Sequence, residues 1–171
     1  PRDSSAEQVL HNFAVAFDAP GDYLPLPFRA DNKEIVSALM QDKEIKAIFE
    51  LIDRANIAIF SLGGIIQNSL LYISGYYTEA GYQELESKGY VGDICSRFYK
   101  IDGTHMDDAF YNRSIGITLE ELAKKERKIC IVTEPEKARA LLGALRGHYI
   151  DSLFMDERTA KALLVEAERE S

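Results

Sequence analysis

Asp93 is the residue of this chain best suited to bind a small polar ligand. It follows Gly92 at the start of the apolar run V-G-D-I-C-S-R-F-Y (91–99). One carboxylate accepts two hydroxyl groups at once, so an aspartate in this position suits a polyhydroxylated ligand. A turn or strand-edge aspartate that bonds its own backbone explains the residue equally well. Asp93 is therefore a candidate ligand contact with a structural alternative.

Gly63 and Gly64 form a second candidate, at the end of the apolar run from Asn56 to Leu62. Glycine after a strand permits positive φ and lets backbone N–H groups approach an anion closely. A tight turn is the competing explanation for the pair.

Lys137 is the third candidate, in the first turn of a helix predicted to begin at Pro135. The helix dipole disfavours a cation there, so the lysine makes sense if an anionic ligand lies beside it. Thr133 and Glu136, however, have the spacing of a capping box, which would satisfy the N–H groups that a phosphate would bind. Both interpretations remain open.

Signals for catalysis are weak. The three histidines, His11, His105 and His148, are scattered along the chain. No nucleophile-elbow, Walker or dinucleotide motif occurs, and no His/Cys/Asp cluster has metal-ligand spacing. We therefore predict no catalytic residue, no metal and no cofactor; an enzyme would need Asp93 as its base.

Composition limits the function classes further. The 171 residues are enough for one domain or most of one, and the net charge of −8 argues against direct binding to a phosphate backbone. The two cysteines are expected to be free thiols in a reducing compartment. Neither a signal peptide nor an apolar run of 18 residues occurs, which favours a cytoplasmic protein without a membrane partner. Pro1-Arg2-Asp3 resembles neither an initiator methionine nor a targeting sequence, so we expect a fragment.

Periodicity predicts the elements that position the candidates. The predicted helices span 4–18, 34–55 with a break near 41–42, 78–88, 118–125, 135–146 and 156–168. The predicted strands span 56–62, 128–132 and 149–155, the first being central in a parallel sheet, and a hairpin is expected around Asp93 with Asp102-Gly103 as a turn. The alternating C-terminal order predicts an α/β fold with a parallel sheet covered by helices. Ligands of such sheets bind beyond the carboxyl ends of the strands, where the three candidates fall.

Several motifs in this order resemble the effector-binding domain of SorC-type bacterial transcription regulators. The resemblance runs from Tyr23 to Leu164 and is nearest to the deoxyribonucleoside-regulator branch. The motifs are Y-L-P-L-P (23–27), A-N-I-A-I-F-S-L-G (55–63), L-L-Y-I-S-G-Y (70–76) with V-G-D-I-C-S-R-F (91–98), N-R-S-I-G-I-T-L-E-E-L (112–122), E-K-A-R-A-L-L-G-A-L-R-G (136–147) and D-E-R-T-A-K-A-L-L (156–164).

The resemblance implies a three-layer, Rossmann-like α/β domain with a mainly parallel sheet, similar to sugar-phosphate isomerases and glucosamine-phosphate deaminases. It implies that residues 1–171 are an effector domain without its first strands and without the N-terminal helix-turn-helix DNA-binding domain of full-length relatives. The implied function is binding of a phosphorylated sugar, which controls DNA binding through the geometry of a dimer or tetramer. The alternatives are an isomerase-like or deaminase-like enzyme of the same fold and a degenerate domain kept for oligomerisation.

The resemblance also assigns residues. It implies that Asp93 holds sugar hydroxyls, that Gly63 and Gly64 lie beside the phosphate, that Lys137 belongs to the last phosphate loop, and that Ser5 lies near a polar contact on the first helix.

The chain departs from the family pattern at two places. Relatives usually carry Gly-Gly where this chain has Thr133-Glu134, and a loop arginine where it has Ile73. A glutamate at 134 would repel a phosphate unless it points outward, so the phosphate end of the pocket is the weaker expectation.

Overall fold

The computed structural model describes residues 6–65, 70–73, 75, 78–105 and 111–170. The α-helices are α1 (Ala6–Phe17), α2 (Lys33–Leu39), α3 (Lys43–Arg54), α4 (Leu70–Ile73), α5 (Glu79–Ser87), α6 (Leu119–Ala123), α7 (Ala138–Arg146) and α8 (Glu157–Arg169). The strands are β1 (Ile57–Phe60), β2 (Gly63–Gly64), β3 (Tyr90–Ile94), β4 (Arg97–Lys100), β5 (Arg127–Val132) and β6 (Ser152–Met155). Two 3₁₀ helices, Tyr111–Arg113 and Pro135–Lys137, complete the described elements.

A three-stranded parallel sheet, in the order β1-β5-β6, forms one half of the fold. Ile57 pairs with Arg127 and Ile129 pairs with Ser152, so the three strands end at the same edge of the sheet. Helices α7 and α8 follow β5 and β6, which confirms the predicted α/β class and its parallel sheet. That shared edge is where an open parallel sheet places its ligands.

The prediction that β1 is a central strand is wrong for the described chain, in which β1 lies at the sheet edge. Ile57 and Ile59 are about half exposed, and so are Ile131 of β5 and Phe154 of β6. A continuous apolar run indicates burial on two faces, whereas the described residues cover mainly one face of this sheet.

The other half of the fold is an antiparallel sheet, β2-β3-β4. The predicted hairpin is present as β3 and β4, and its own turn is Cys95-Ser96. The predicted turn at Asp102-Gly103 also forms, but it follows β4, with the Gly103 N–H donating to the Lys100 carbonyl at 2.9 Å. Cys95 and Ser96 both have positive φ, 51° and 62°, which is the type I′ geometry of two-residue hairpins. That turn type normally contains Asn-Gly or Asp-Gly, so the sequence Cys-Ser gave no signal for it.

Helix α7 packs against β3 and joins the two sheets. The larger buried cluster contains residues from both, including Leu62, Ile94, Tyr99, Val132, Leu141 and Ala144. A smaller cluster of Leu71, Tyr82, Leu85, Tyr90 and Phe98 lies between the antiparallel sheet and helices α4 and α5. The β3–β4 hairpin is therefore held from two sides, which fixes the residues that it carries.

The helix predicted from Pro135 begins as a 3₁₀ turn and becomes α-helical at Ala138. Its N-cap residue, Glu134, makes no side-chain capping hydrogen bond, so the expected capping box of Thr133 and Glu136 does not form. A capping box does form at α6, between Thr118 and Glu121. None of the helices in the described ranges is long and apolar enough to cross a membrane.

Candidate functional site

Asp93 lies beside Gly63 at the carboxyl end of β1. The two residues are paired between β3 and β2, and β2 follows β1 after only Ser61 and Leu62. A Cβ atom added to Gly63 would stand 2.0 Å from the Asp93 Oδ1 atom. The missing side chain at position 63 therefore leaves the space that the Asp93 carboxyl group occupies. Gly63 is extended and needs no positive φ; its contribution is this space.

Burial sets the charge state of Asp93. The residue is 9% exposed, and this desolvation raises the pKa of its carboxyl group from 3.8 to about 6. Two smaller effects act the other way: a hydrogen bond from the Ser96 N–H group and the positive charge of Lys137 both lower the pKa. A carboxyl group with this pKa is mostly ionised at neutral pH, and an ionised carboxylate acts only as a hydrogen-bond acceptor.

The hairpin turn holds one oxygen of this carboxyl group. The Ser96 N–H donates to Asp93 Oδ2 at 3.1 Å. Oδ1 is the atom that lies over Gly63. The structural alternative for Asp93, a bond to its own turn, is therefore present, and it engages one of the two oxygens.

Lys137 follows β5 at the same edge of the parallel sheet and is the N-cap residue of α7. Its ammonium group forms an ion pair with the Glu134 carboxylate, three residues earlier. The lysine side chain is mostly buried, at 15% exposure, whereas Glu134 is half exposed. Glu134 thus offsets the unfavourable position of the lysine at a helix N-terminus. The same ion pair neutralises the ammonium group that was predicted to contact a phosphate.

The remaining predicted residues are placed differently. Gly64 pairs with Gly92 and lines a cavity of about 430 Å³ together with Val91, Glu136 and Ala140. Gly92 does not offer its backbone to a ligand in the way its sequence position suggested: a Cβ there would stand 2.5 Å from the Ala140 Cβ, so it serves close packing of α7. Ser5 lies outside the described residues.

Two buried polar residues, one hydrogen-bonded to the hairpin that carries Asp93 and one within it, were missed by sequence reasoning. Ser114 is 1% exposed, and its hydroxyl donates to the Ser96 carbonyl at 2.7 Å. Arg97 is 6% exposed and donates to backbone carbonyls of residues 111–117. The arginine directly after Cys95-Ser96 in an apolar run was the available signal, because a buried arginine needs several acceptors.

The site offers oxygen acceptors and one cation, and no metal centre stands beside it in the part of the chain that is described. There, no group of three or more His, Cys, Asp or Glu residues could hold a metal ion. Cys95 and Cys130 are free thiols. The site therefore presents a buried carboxyl group, Asp93, with Lys137 as a neighbouring positive charge.

The fold and this site define the sugar-binding domain of SorC/DeoR-type transcriptional regulators. Residues 2–165 match the family described as "Putative sugar-binding domain", and the chain belongs to that family. The expected resemblance is confirmed.

Among its relatives is the deoxyribonucleoside regulator of Bacillus subtilis (strain 168), 38% identical over 92% of this chain and 50% of the relative. The sorbitol operon regulator of Klebsiella pneumoniae is 29% identical over 91% of this chain and 50% of the relative. The chain thus spans about half the length of these curated relatives.

Solved structures agree. The full-length sorbitol operon regulator SorC from Klebsiella pneumoniae superposes with a TM-score of 0.81 at 29% identity, covering 90% of this chain and 50% of that one. A DeoR family transcriptional regulator from Listeria monocytogenes superposes with a TM-score of 0.84 at 26% identity, covering 91% of this chain and 63% of that one. The relatives are named as transcriptional regulators, which supports a sensing role for this domain.

Proposed function

We propose that this chain is the part of a bacterial transcriptional regulator that senses a phosphorylated sugar. The observation that carries the proposal is the Asp93 carboxyl group, buried over Gly63 at the carboxyl end of the parallel sheet and electrostatically coupled to Lys137. An acceptor for hydroxyl groups and a cation at one sheet edge suit the two ends of a sugar phosphate.

Asp93 recognises hydroxyl groups in this proposal. One of its oxygens is engaged by the Ser96 N–H, and the other lies over Gly63, in the space that the absent side chain leaves. Since the group is buried, a hydrogen bond from a ligand hydroxyl to this charge is electrostatically stronger than the same bond to an exposed carboxylate. That environment favours a strong dependence of affinity on the number and placement of ligand hydroxyls.

Lys137 contacts the phosphate, and Glu134 is its competitor. The ammonium group is paired with Glu134. This carboxylate already neutralises part of the lysine charge, and its own negative charge repels a phosphate at the same ammonium group. Affinity for the phosphorylated end is therefore lower than an unpaired lysine would give, and the sugar end supplies more of the discrimination.

Binding controls transcription only within a larger assembly. We propose that residues 1–171 form an effector domain of a longer protein, that this protein is a dimer or tetramer with a separate helix-turn-helix DNA-binding domain, and that it acts in the cytoplasm. Ligand occupancy alters DNA affinity if the ligand binds one arrangement of the assembly more tightly than another. The names of the relatives support the regulatory role; Gly64 and Ser5 remain predicted contacts.

Calorimetry tests the proposal. The chain is titrated with 2-deoxyribose 5-phosphate, sorbitol 6-phosphate, ribose 5-phosphate and the three unphosphorylated sugars. At least one phosphorylated member is expected to bind, and Asp93→Asn to weaken it by about tenfold or more, the loss of hydrogen bonds to a charged group. Asp102→Asn is the matched control, because Asp102 also accepts a backbone N–H in a turn, at 2.9 Å, but is exposed.

Absence of binding by every sugar phosphate at millimolar concentration would overturn the proposal. Conversion of a bound sugar into product, abolished by Asp93→Asn, would indicate an enzyme of the same fold in place of a sensor.

A further inference from the structure

The turn that holds Asp93 is itself strained. Cys95 and Ser96 both have positive φ, although neither is glycine. Left-handed backbone is unfavourable for residues with a Cβ and persists only where surrounding structure holds it. Because the Ser96 N–H is the donor to Asp93 Oδ2, whatever holds the turn also orients the carboxyl group.

Ser114 stabilises the turn by a hydrogen bond to its backbone. Its hydroxyl donates to the Ser96 carbonyl at 2.7 Å, and both residues are buried. The backbone of Ser114 is fixed in turn, by a bridge to Arg29 and by a hydrogen bond from its N–H to the Tyr111 carbonyl at 3.2 Å. Ser96 thus makes two hydrogen bonds: its carbonyl accepts from the Ser114 hydroxyl, and its N–H donates to Asp93.

Arg97 ties the same two segments together. Its guanidinium group donates to the carbonyls of Tyr111, Gly116 and Ile117 and lies over the Tyr111 ring at 4.6 Å. The segment 111–117 therefore cannot move away from the turn without breaking these partly buried hydrogen bonds. These hydrogen bonds fix the position of Ser114 relative to the turn.

We propose that Ser114 is a positioning residue for the Asp93 carboxyl group, acting through the Cys95-Ser96 turn. By holding the Ser96 carbonyl, Ser114 keeps the turn in its left-handed geometry and the Ser96 N–H on Asp93. The consequence for ligand affinity rests on the proposed function, whereas the consequence for Asp93 itself does not.

Titration of the Asp93 side chain tests the proposal without any ligand. The ¹³C chemical shift of the carboxyl carbon is followed between pH 3.5 and 8 in the wild type, Ser114→Ala and Ser87→Ala. In Ser114→Ala the midpoint is expected to rise above the wild-type value, since the Ser96 hydrogen bond lowers the pKa of Asp93. Ser87→Ala is the matched control: its hydroxyl also donates to a backbone carbonyl, at 2.8 Å, but on the exposed side of α5. It should titrate as the wild type.

A second variant shows whether the effect passes through the turn. Glycine adopts positive φ without strain, so Ser96→Gly combined with Ser114→Ala should return the midpoint to the wild-type value. An unchanged midpoint in Ser114→Ala, or a raised midpoint in the double variant, would overturn the proposal. If Ser114→Ala alone does not fold, the double variant decides: folded with the wild-type midpoint supports the proposal, and any other result overturns it.

Ligand binding is the second readout. For the sugar phosphate that binds the wild type most tightly in the panel above, Ser114→Ala is expected to weaken affinity about tenfold and Ser87→Ala to leave it unchanged. Failure of every sugar phosphate to bind the wild type would refute the proposed function and leave the carboxyl titration as the test of Ser114. A raised midpoint with undiminished affinity would overturn the role of Ser114 in ligand binding.

Discussion

The buried charge of Asp93 lowers the stability of the folded chain. The pKa of Asp93 is raised from 3.8 to about 6 in the folded chain, so the folded state binds more protons than the unfolded state between these values. Stability from this group is therefore lost as pH rises from about 4 to about 6, by about 3 kcal/mol once ionisation is complete. Buried charges that destabilise the fold occur preferentially at functional sites, which favours a ligand-binding role for this carboxylate.

We predict that Asp93→Asn is more stable than the wild type at pH 7, by up to about 3 kcal/mol, and equally stable at pH 4. Asparagine keeps an acceptor for the Ser96 N–H without the buried charge. Urea unfolding at pH 4, 5, 6 and 7 measures the free energy of unfolding of both chains. Subtracting one from the other at each pH removes the contribution of the titrating groups that the two chains share. Parallel loss of stability by the two chains would show that Asp93 is not the buried charge described.

The ion pair between Glu134 and Lys137 supports a second prediction at this scale. Glu134→Gln is expected to tighten binding of a phosphorylated sugar by about threefold to tenfold, because the lysine loses a competing partner. Affinity for the unphosphorylated sugar should not change. Glu84→Gln is the control of equal charge change, because the Glu84 carboxylate also pairs with a lysine, Lys88, and is 53% exposed against 54% for Glu134. Equal gains from both variants would indicate a general effect of net charge and not release of Lys137.

At the scale of elements, hydrophobic periodicity was sufficient to predict the helices and strands that bury one apolar face. The C-terminal strands and helices were predicted within about three residues, and α8 begins after Asp156, whose side chain caps it as expected of an aspartate there. The turn at Cys95-Ser96 could not be predicted, since tertiary contacts from Ser114 and Arg97 impose it against local preference. The candidate site followed the same rule. Residue type was enough to propose Asp93 and Lys137, which stay predictions, whereas the space that Gly63 leaves for Asp93 depends on which strand Gly63 pairs with.

Helix capping separates local pattern from structure most clearly. Thr118 and Glu121 form a capping box, with the Glu121 N–H on Thr118 Oγ1 at 3.1 Å and the Thr118 N–H on Glu121 Oε2 at 2.7 Å. Thr133 and Glu136 have the same spacing, but the 3₁₀ turn at Pro135 places Glu134 at the cap instead. The same motif therefore has an energetic role at one site only.

We predict that Thr118→Ala lowers the free energy of unfolding by about 1 kcal/mol, the usual cost of a lost N-cap. Thr133→Ala, the identical change at the box that does not form, should lie within about 0.5 kcal/mol of the wild type. Chemical denaturation at one pH compares the two variants. A loss from Thr133→Ala as large as that from Thr118→Ala would contradict the capping geometry.

At the scale of the whole molecule, the chain combines the fold of a sugar-binding family with a net negative charge that is unfavourable for contact with nucleic acid. It carries 28 acidic and 20 basic residues. Several of the basic side chains are already paired, among them Lys128 with Asp151 and Arg139 with Glu170. The curated relatives are about twice as long as the region matched.

We therefore predict that this chain alone does not bind duplex DNA. Non-specific DNA-binding proteins reach dissociation constants of about 10⁻⁴ to 10⁻⁶ M by neutralising phosphates with clustered lysine and arginine, which a net charge of −8 opposes. Fluorescence anisotropy of a labelled 30-base-pair duplex in 50 mM salt should stay constant up to about 100 µM chain, with and without sugar phosphate. An oligoarginine peptide on the same duplex confirms that the assay detects binding. Salt-dependent binding by the chain would place DNA contacts within the sensing half, and ligand occupancy would then act on DNA directly and not through the geometry of a larger assembly.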